Sequence, residues 1–139
     1  MDRGKLIERL MATFLGELGD HVRVINDDLL ALEKDPQGAD HAERYQSLFR
    51  AAHSLKGAAR SVGVGVVEEA CHQLEEILSR VRDLGRPLAP ELFGLLFQTA
   101  DAIEDAGRRL REQRDLAESP LSALLGRLKE TADDIPRRN

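Results

Sequence analysis

The stretch VVEEACHQLEEILSRV, Val66 to Val81, decides the fold. Val66, Val67, Ala70, Cys71, Leu74, Ile77, Leu78 and Val81 recur at steps of three and four residues. That spacing draws one apolar stripe along a helix of 3.6 residues per turn. Glu68 and Glu69 fall in its first turn, where the helix dipole favours negative charge. Gly85 supplies a stop, and Pro87 follows it. A helix with a single apolar stripe needs other elements to cover that stripe. No segment of the chain shows the sustained two-residue alternation of a half-buried strand, so the cover is helical.

Upstream, Gly63 ends a second helix whose inner face holds Tyr45, Leu48, Phe49, Ala52, Leu55, Ala59 and Val62. Asp40 precedes Glu43 by three residues, the spacing of a capping box at its start. Before it, Asp35-Pro36-Gln37-Gly38 breaks the chain, because proline turns the preceding residue away from helical angles. The first helix then runs from Arg3 to Lys34, with Ile7, Met11, Phe14, Leu18, Val22, Ile25, Leu29 and Leu32 as its stripe. Gly16 and Gly19 within it each cost up to about 1 kcal/mol relative to alanine. Downstream, Pro90 opens a fourth helix with Leu92, Phe93, Leu96, Ala100, Ile103 and Leu110 inward. Arg108, Arg109, Arg111 and Arg114 gather at its C-terminal end, the sign the dipole prefers there. Ser119-Pro120 reads as cap and first residue of a short fifth helix, with Leu121, Leu124, Leu125 and Leu128 facing in. The expected fold is all-α: an antiparallel up-down four-helix bundle, with the fifth helix along one side or end. Residues 1–132 form the bundle in this reading, and the polar run 133–139 is a tail or the start of a linker. The long first helix and the polar end suggest an amino-terminal module of a longer chain.

The 139 residues suit one domain, and a chain of this size buries about two-thirds of its unfolded surface. Apolar residues make up 42% and charged residues 32%, with 25 acidic against 20 basic for a net charge of −5. That balance argues against a nucleic-acid module, which presents a basic face. Aromatics are 4% and tryptophan is absent, which leaves little to stack bases or sugars. The single Cys71 excludes an internal disulfide framework and suits a reducing, cytoplasmic compartment. No apolar run approaches the roughly 18 residues of a membrane span, and no secretory leader pattern opens the chain.

The polar residues left over by the packing stripes are the candidates for chemistry. His53 lies about 120° from the centre of the second helix's apolar face, at its flank. Lys56 follows one turn later, beside Gly57 and Ala58. A mid-helix glycine costs about 1 kcal/mol against alanine, and here it bares backbone next to the imidazole. On the third helix, Glu75 shares the polar side with Glu68, His72 and Ser79. His53 stands about ten residues before the tight turn at 62–65 and Glu75 about ten after it, so the two come level. A carboxylate there can hold the Nδ1–H of the ring and leave the Nε2 lone pair outside as a nucleophile. Taken singly, each residue is more simply a solvated side chain; only the joint arrangement singles out His53. His21 and His41 have no supporting pattern and are assigned to the surface, and Cys71 to the core.

The run Ala51-Ala52-His53-Ser54-Leu55-Lys56-Gly57-Ala58-Ala59-Arg60-Ser61-Val62-Gly63, continued by Cys71-His72-Gln73-Leu74-Glu75, resembles the phosphoacceptor motif of histidine-containing phosphotransfer domains. It is most similar to the amino-terminal phosphotransfer domain of chemotaxis-type (CheA) histidine kinases. Phe14-Leu15-Gly16-Glu17 through Asp28-Leu29-Leu30-Ala31-Leu32-Glu33 is similar to the first helix of that group. The resemblance implies that His53 is the phosphorylated histidine and that Glu75 orients it through Nδ1. It implies that Lys56 lies by the phosphoryl oxygens and that His72 completes the polar network. Gly57, Ala58 and Arg60 would be docking positions. The implied partners are the ATP-bound catalytic domain of a histidine kinase and the receiver domain of a response regulator. The resemblance calls for no cofactor in this domain, with ATP and Mg2+ on the partners, and the isolated domain is expected to be a monomer. Gly63-Val64-Gly65 lacks the third glycine of a phosphate-cradling loop, and no Walker pattern occurs, so no nucleotide motif is present. Any kinase activity would belong to a parent chain.

Two other readings compete. Glu69 and His72 make one Glu-x-x-His pair, but carboxylate-bridged metal bundles use two such pairs and two further glutamates. A helical interaction module that binds receiver or kinase domains without phosphotransfer would keep the bundle and lose the chemistry.

Overall fold

The computed structural model describes residues 2–137. Within them the chain forms five helices and no strand: α1 (Arg3–Lys34), α2 (His41–Val62), α3 (Gly65–Asp83), α4 (Pro90–Arg111) and α5 (Pro120–Asp134). Residues 138–139 of the expected tail lie outside the described residues. Local chemistry sets the boundaries. The Asp2 carboxylate accepts from the Gly4 N–H at 3.0 Å and opens α1. The Ser119 hydroxyl accepts from the Ser122 N–H at 3.2 Å and opens α5, with Pro120 in the first turn. Between α2 and α3, Gly63 takes φ 75°, a left-handed conformation that a side chain would strain. The Val64 N–H then reaches back to the Ala59 carbonyl at 2.9 Å, and Gly63 N–H to Arg60 at 3.2 Å. This six-to-one closure makes the hairpin tight and fixes which turns of α2 and α3 meet. The Asp40–Glu43 capping box does not form. Asp40 makes no side-chain cap bond, and its carboxylate instead takes a long contact, 3.4 Å, from Arg44 Nε.

The helices alternate in direction, and neighbours pack in the order α1, α2, α3, α5, α4 and back to α1. α3 and α4 barely touch, because α5 lies along the side between them and covers both. The expected boundary at residue 132 falls inside α5, and Ile135 packs onto the core beyond the helix end. Phe14, Ile25, Leu29, Leu55, Ile77, Leu78, Ile103, Leu121 and Leu128 are fully enclosed. α1 and α4 approach so closely that a Cβ on Gly107 would stand 3.0 Å from a Leu18 methyl. Ile7, read as part of the stripe, is exposed. α1 has 32 residues against 22 in α2, so its first turns project past the hairpin and find no cover. Met11 is half-buried at the edge of the core. No helix among the described residues is long and apolar enough to cross a membrane.

Candidate functional site

α2 and α3 are tied across their shared seam at three heights. Near the top, the Tyr45 hydroxyl donates to the Leu78 carbonyl at 2.6 Å, and burial pushes its ionisation well above the usual phenol range. Near the turn, Arg60 Nε pairs with Glu68 Oε2 at 3.0 Å. Between them His53 Nδ1 stands 2.9 Å from Glu75 Oε1, and Lys56 Nζ donates to Glu75 Oε2 at 2.8 Å. The level meeting of His53 and Glu75 expected from counting outward from the turn is therefore present.

An ionised carboxylate only accepts hydrogen bonds, so Nδ1 must carry the proton in the contact with Glu75. The lone pair of the neutral ring is then on Nε2. The His53 side chain is 65% exposed while that of Glu75 is 13% exposed. The carboxylate is thus set into the seam, and the ring stands out from it, with no hydrogen bond to Nε2 among the described residues. Lys56 occupies both the remaining oxygen of Glu75 and the charge of its carboxylate. It binds Glu75 here, where the resemblance placed it beside phosphoryl oxygens. His72 does not join the network: it is exposed and makes no hydrogen bond or ion pair among the described residues. Its position three residues before Glu75 puts it on the polar side but turned outward.

Gly57 is exposed, and a Cβ built there would meet nothing within 4 Å. Its carbonyl accepts from the Ser61 hydroxyl at 3.0 Å, so the backbone there is open in shape but already hydrogen-bonded. Arg60 is exposed beyond its pairing with Glu68, whereas Ala58 is half-buried against the core and offers little surface. His21 and His41, assigned to the surface, are half-buried, and neither approaches His53 as a hydrogen-bond partner. Glu69 accepts from Gln73 at 2.8 Å and is not paired with His72. Among the described residues no group of three or more His, Cys, Asp or Glu side chains is placed to hold a metal ion.

Cys71 lies one turn before Glu75, buried in the core. Desolvation first, and the nearby Glu75 charge second, push its thiol up to about 12. The neutral thiol is therefore the stable form in the folded protein. Its contribution to stability is full below the unfolded value of about 9 and is lost as pH rises toward 12. Native protein at pH 8 should leave an aromatic disulfide reagent unreacted, and one equivalent of thiol should appear on unfolding in denaturant. Rapid reaction of the native form would contradict this placement.

The Hpt domain family model matches residues 9–135. The chain belongs to the Hpt domain family. The Hpt domain is 30% identical over 95 residues to chemotaxis protein CheA of Listeria monocytogenes, covering 68% of this chain and 15% of that protein. It is 39% identical over 85 residues to CheA of Klebsiella aerogenes, covering 57% of this chain and 13% of that protein. This Hpt domain thus corresponds to a small part of the curated relatives it matches. Among solved structures it is similar to the phosphorylated P1 domain of CheA3 in complex with CheY6 from R. sphaeroides. The TM-score is 0.78 at 26% identity, over 92% of this chain and 98% of that one.

Asp28 and Arg44 escaped the sequence reading. Asp28 is buried on α1 and pairs with Arg44 Nη1 of α2 at 3.2 Å. Asp28 follows Asp27, and nothing in the spacing says which of the two turns inward; the pair with Arg44 locks α1 to α2 rather than entering the His53 site.

Proposed function

We propose that this Hpt domain carries a phosphoryl group on His53 between two other protein domains. The donor is ATP held with Mg2+ on a histidine kinase catalytic domain. The acceptor is an aspartate of a response-regulator receiver domain. The observation that supports this most directly is the exposed imidazole whose Nδ1 is held 2.9 Å from a buried-edge carboxylate. The similarity to a P1 domain solved with CheY6 supports the receiver as acceptor.

In the first step the Nε2 lone pair attacks the γ-phosphorus, the bond to the β-bridging oxygen breaks, and ADP leaves with that electron pair. The ring keeps its Nδ1 proton and becomes cationic, and Glu75 stabilises it as the charge develops. In the second step a receiver carboxylate oxygen attacks the phosphorus, the N–P bond breaks, and its electrons return to Nε2 as neutral imidazole. Positioning and electrostatics govern phosphoryl transfer, so the metal and most of the rate belong to the partners. Lys56 holds Glu75 in the resting state and is near enough to turn toward the phosphoryl oxygens once the ring is charged. The phosphotransfer unit takes in all of α5 and the Ile135 contact beyond it, and it works in the cytoplasm. The isolated domain works as a monomer.

The test is incubation of the 139-residue chain with the catalytic domain of a CheA-type kinase and γ-labelled ATP, then addition of a receiver domain. Label that is acid-labile and alkali-stable, and that leaves when the receiver is added, supports the proposal. A chain that binds the partners and takes up no label is an interaction module only.

Gly57 supplies a separate check on docking. Gly57→Ala should raise stability by about 0.5–1 kcal/mol in denaturant melts, because the helix gains a better former and the added Cβ meets nothing. Gly57→Trp should fold as well but slow transfer to a receiver, by blocking approach beside His53. If the tryptophan variant transfers at the original rate, this face of α2 is not the docking surface.

A further inference from the structure

At the end of the bundle away from the α2–α3 turn, the α1–α2 and α3–α4 connections frame an open cleft of about 570 Å3. This is within the roughly 300–1,000 Å3 typical of small-molecule sites. Two arginines line it, Arg82 and Arg86. The Arg82 guanidinium lies over the Phe49 ring of α2, 5.1 Å from its centroid, so one face of the group is covered and its N–H edge is left free. Gly85 at φ 69° reverses the chain between the two arginines and brings Arg86 back to the same opening. Neither arginine is in an ion pair among the described residues, although seven other arginines are. No carboxylate lines the cleft, in a chain whose net charge is −5. The nearby acids Asp35, Asp40 and Asp83 are not among its lining residues.

The rest of the wall is flat. The His41 and Tyr45 rings lie 5.9 Å apart at 32°, and the Pro87 ring closes the rim. Tyr45 is 5% exposed and its hydroxyl is committed to the Leu78 carbonyl, so the flat faces left to a ligand are those of His41 and Pro87. Gln46 adds a carboxamide able both to donate and to accept. Two unpaired guanidinium forks fit the oxygens of a phosphate. Flat side chains fit a planar ring, and an amide fits the donors and acceptors along its edge. We infer that this cleft binds a planar heteroaromatic ring bearing a phosphate, a ligand of the nucleoside monophosphate class. Recognition rests on the two arginines and needs no glycine-rich loop. The site is separate from His53: Arg82 follows Glu75 by seven residues, about 10 Å along the α3 axis.

The inference does not depend on phosphotransfer, and its test does not measure it. The 139-residue chain, labelled with 15N, is titrated with AMP, adenosine, ribose 5-phosphate and inorganic phosphate. AMP should give saturable amide shifts at His41, Gln46 and Gly85 and leave the amides around His53 in place. Adenosine, ribose 5-phosphate and phosphate should each bind about tenfold more weakly or worse, because each lacks one half of the ligand. Arg86 is exposed, so Arg86→Gln leaves the fold intact and should weaken AMP by about tenfold. Three results would overturn the inference: no saturable response to AMP, an Arg86→Gln titration that matches the original chain, or phosphate alone binding as tightly as AMP.

Discussion

His53→Gln is expected to take up no label from kinase and ATP, while the chain stays folded. The loss should be complete rather than partial, because no other side chain is arranged to replace the nucleophile. His72 is exposed, and among the described residues no hydrogen bond or ion pair orients its ring. Neutral glutamine has the reach of histidine and can still donate to Glu75, so the α2–α3 seam keeps its contact. The His53 side chain is 65% exposed, and a substitution at such a position shifts stability by no more than about 0.5 kcal/mol. A thermal melt followed by circular dichroism should therefore overlay that of the original chain. The paired control is His72→Gln, which should label at the normal rate. If His53→Gln still takes up acid-labile phosphate, or if His72→Gln loses it, the nucleophile is elsewhere and the proposal fails.

The sequence was most legible where a backbone rule and a periodicity agreed. The C-terminal end of α1, the stops at Gly63 and Gly85, and the Ser119-Pro120 start of α5 all followed from local stereochemistry. The His53–Glu75 meeting was legible for a related reason. A tight hairpin of two regular helices makes height a matter of counting residues from the turn. Other features depended on what lies next to an element. Ile7 fits the stripe of α1, but α1 outruns its neighbours and the stripe has nothing to cover it there. The C-terminal end of α4 is marked by Gln113 at φ 59°, a left-handed turn made without the glycine that announces such turns. α5 could be recognised as a helix, but its place between α3 and α4 depends on a gap that only the assembled bundle has. Asp40 had the right spacing for a cap, yet its carboxylate turned to Arg44, a competitor that spacing rules do not weigh. Lys56 shows the same limit within the site. Its flexible stem lets the ammonium choose among acceptors, and in the resting state the partner it finds is Glu75.

That choice gives the second large effect. Glu75→Ala should slow phosphorylation of His53 by on the order of 10- to 100-fold, by analogy with the loss of the group that orients a metal-bound histidine. Two contributions are lost together. One is the tautomer: without an acceptor at Nδ1 the ring is free to carry its proton on Nε2, where it blocks attack. The other is charge: the ring becomes cationic as the N–P bond forms, and no carboxylate stands beside it. Glu75→Gln separates the two, because the amide oxygen can still accept from Nδ1 while the negative charge is gone. It should retain the Nδ1–H form in long-range 1H–15N spectra and yet react slowly. Glu75→Ala should lose that form and be slower still. Lys56→Met bears on the order of events, since it frees one carboxylate oxygen without touching the ring. If Lys56 serves only to hold Glu75, the tautomer signal weakens and both half-reactions slow alike. If it turns to the phosphoryl group, the tautomer persists and the transfer steps slow. All three variants should keep the bundle folded, since the contacts they remove lie at the edge of the α2–α3 seam and leave the apolar core intact. Unchanged phosphorylation in a folded Glu75→Ala chain would mean that the 2.9 Å contact holds two helices together and plays no part in presenting the ring.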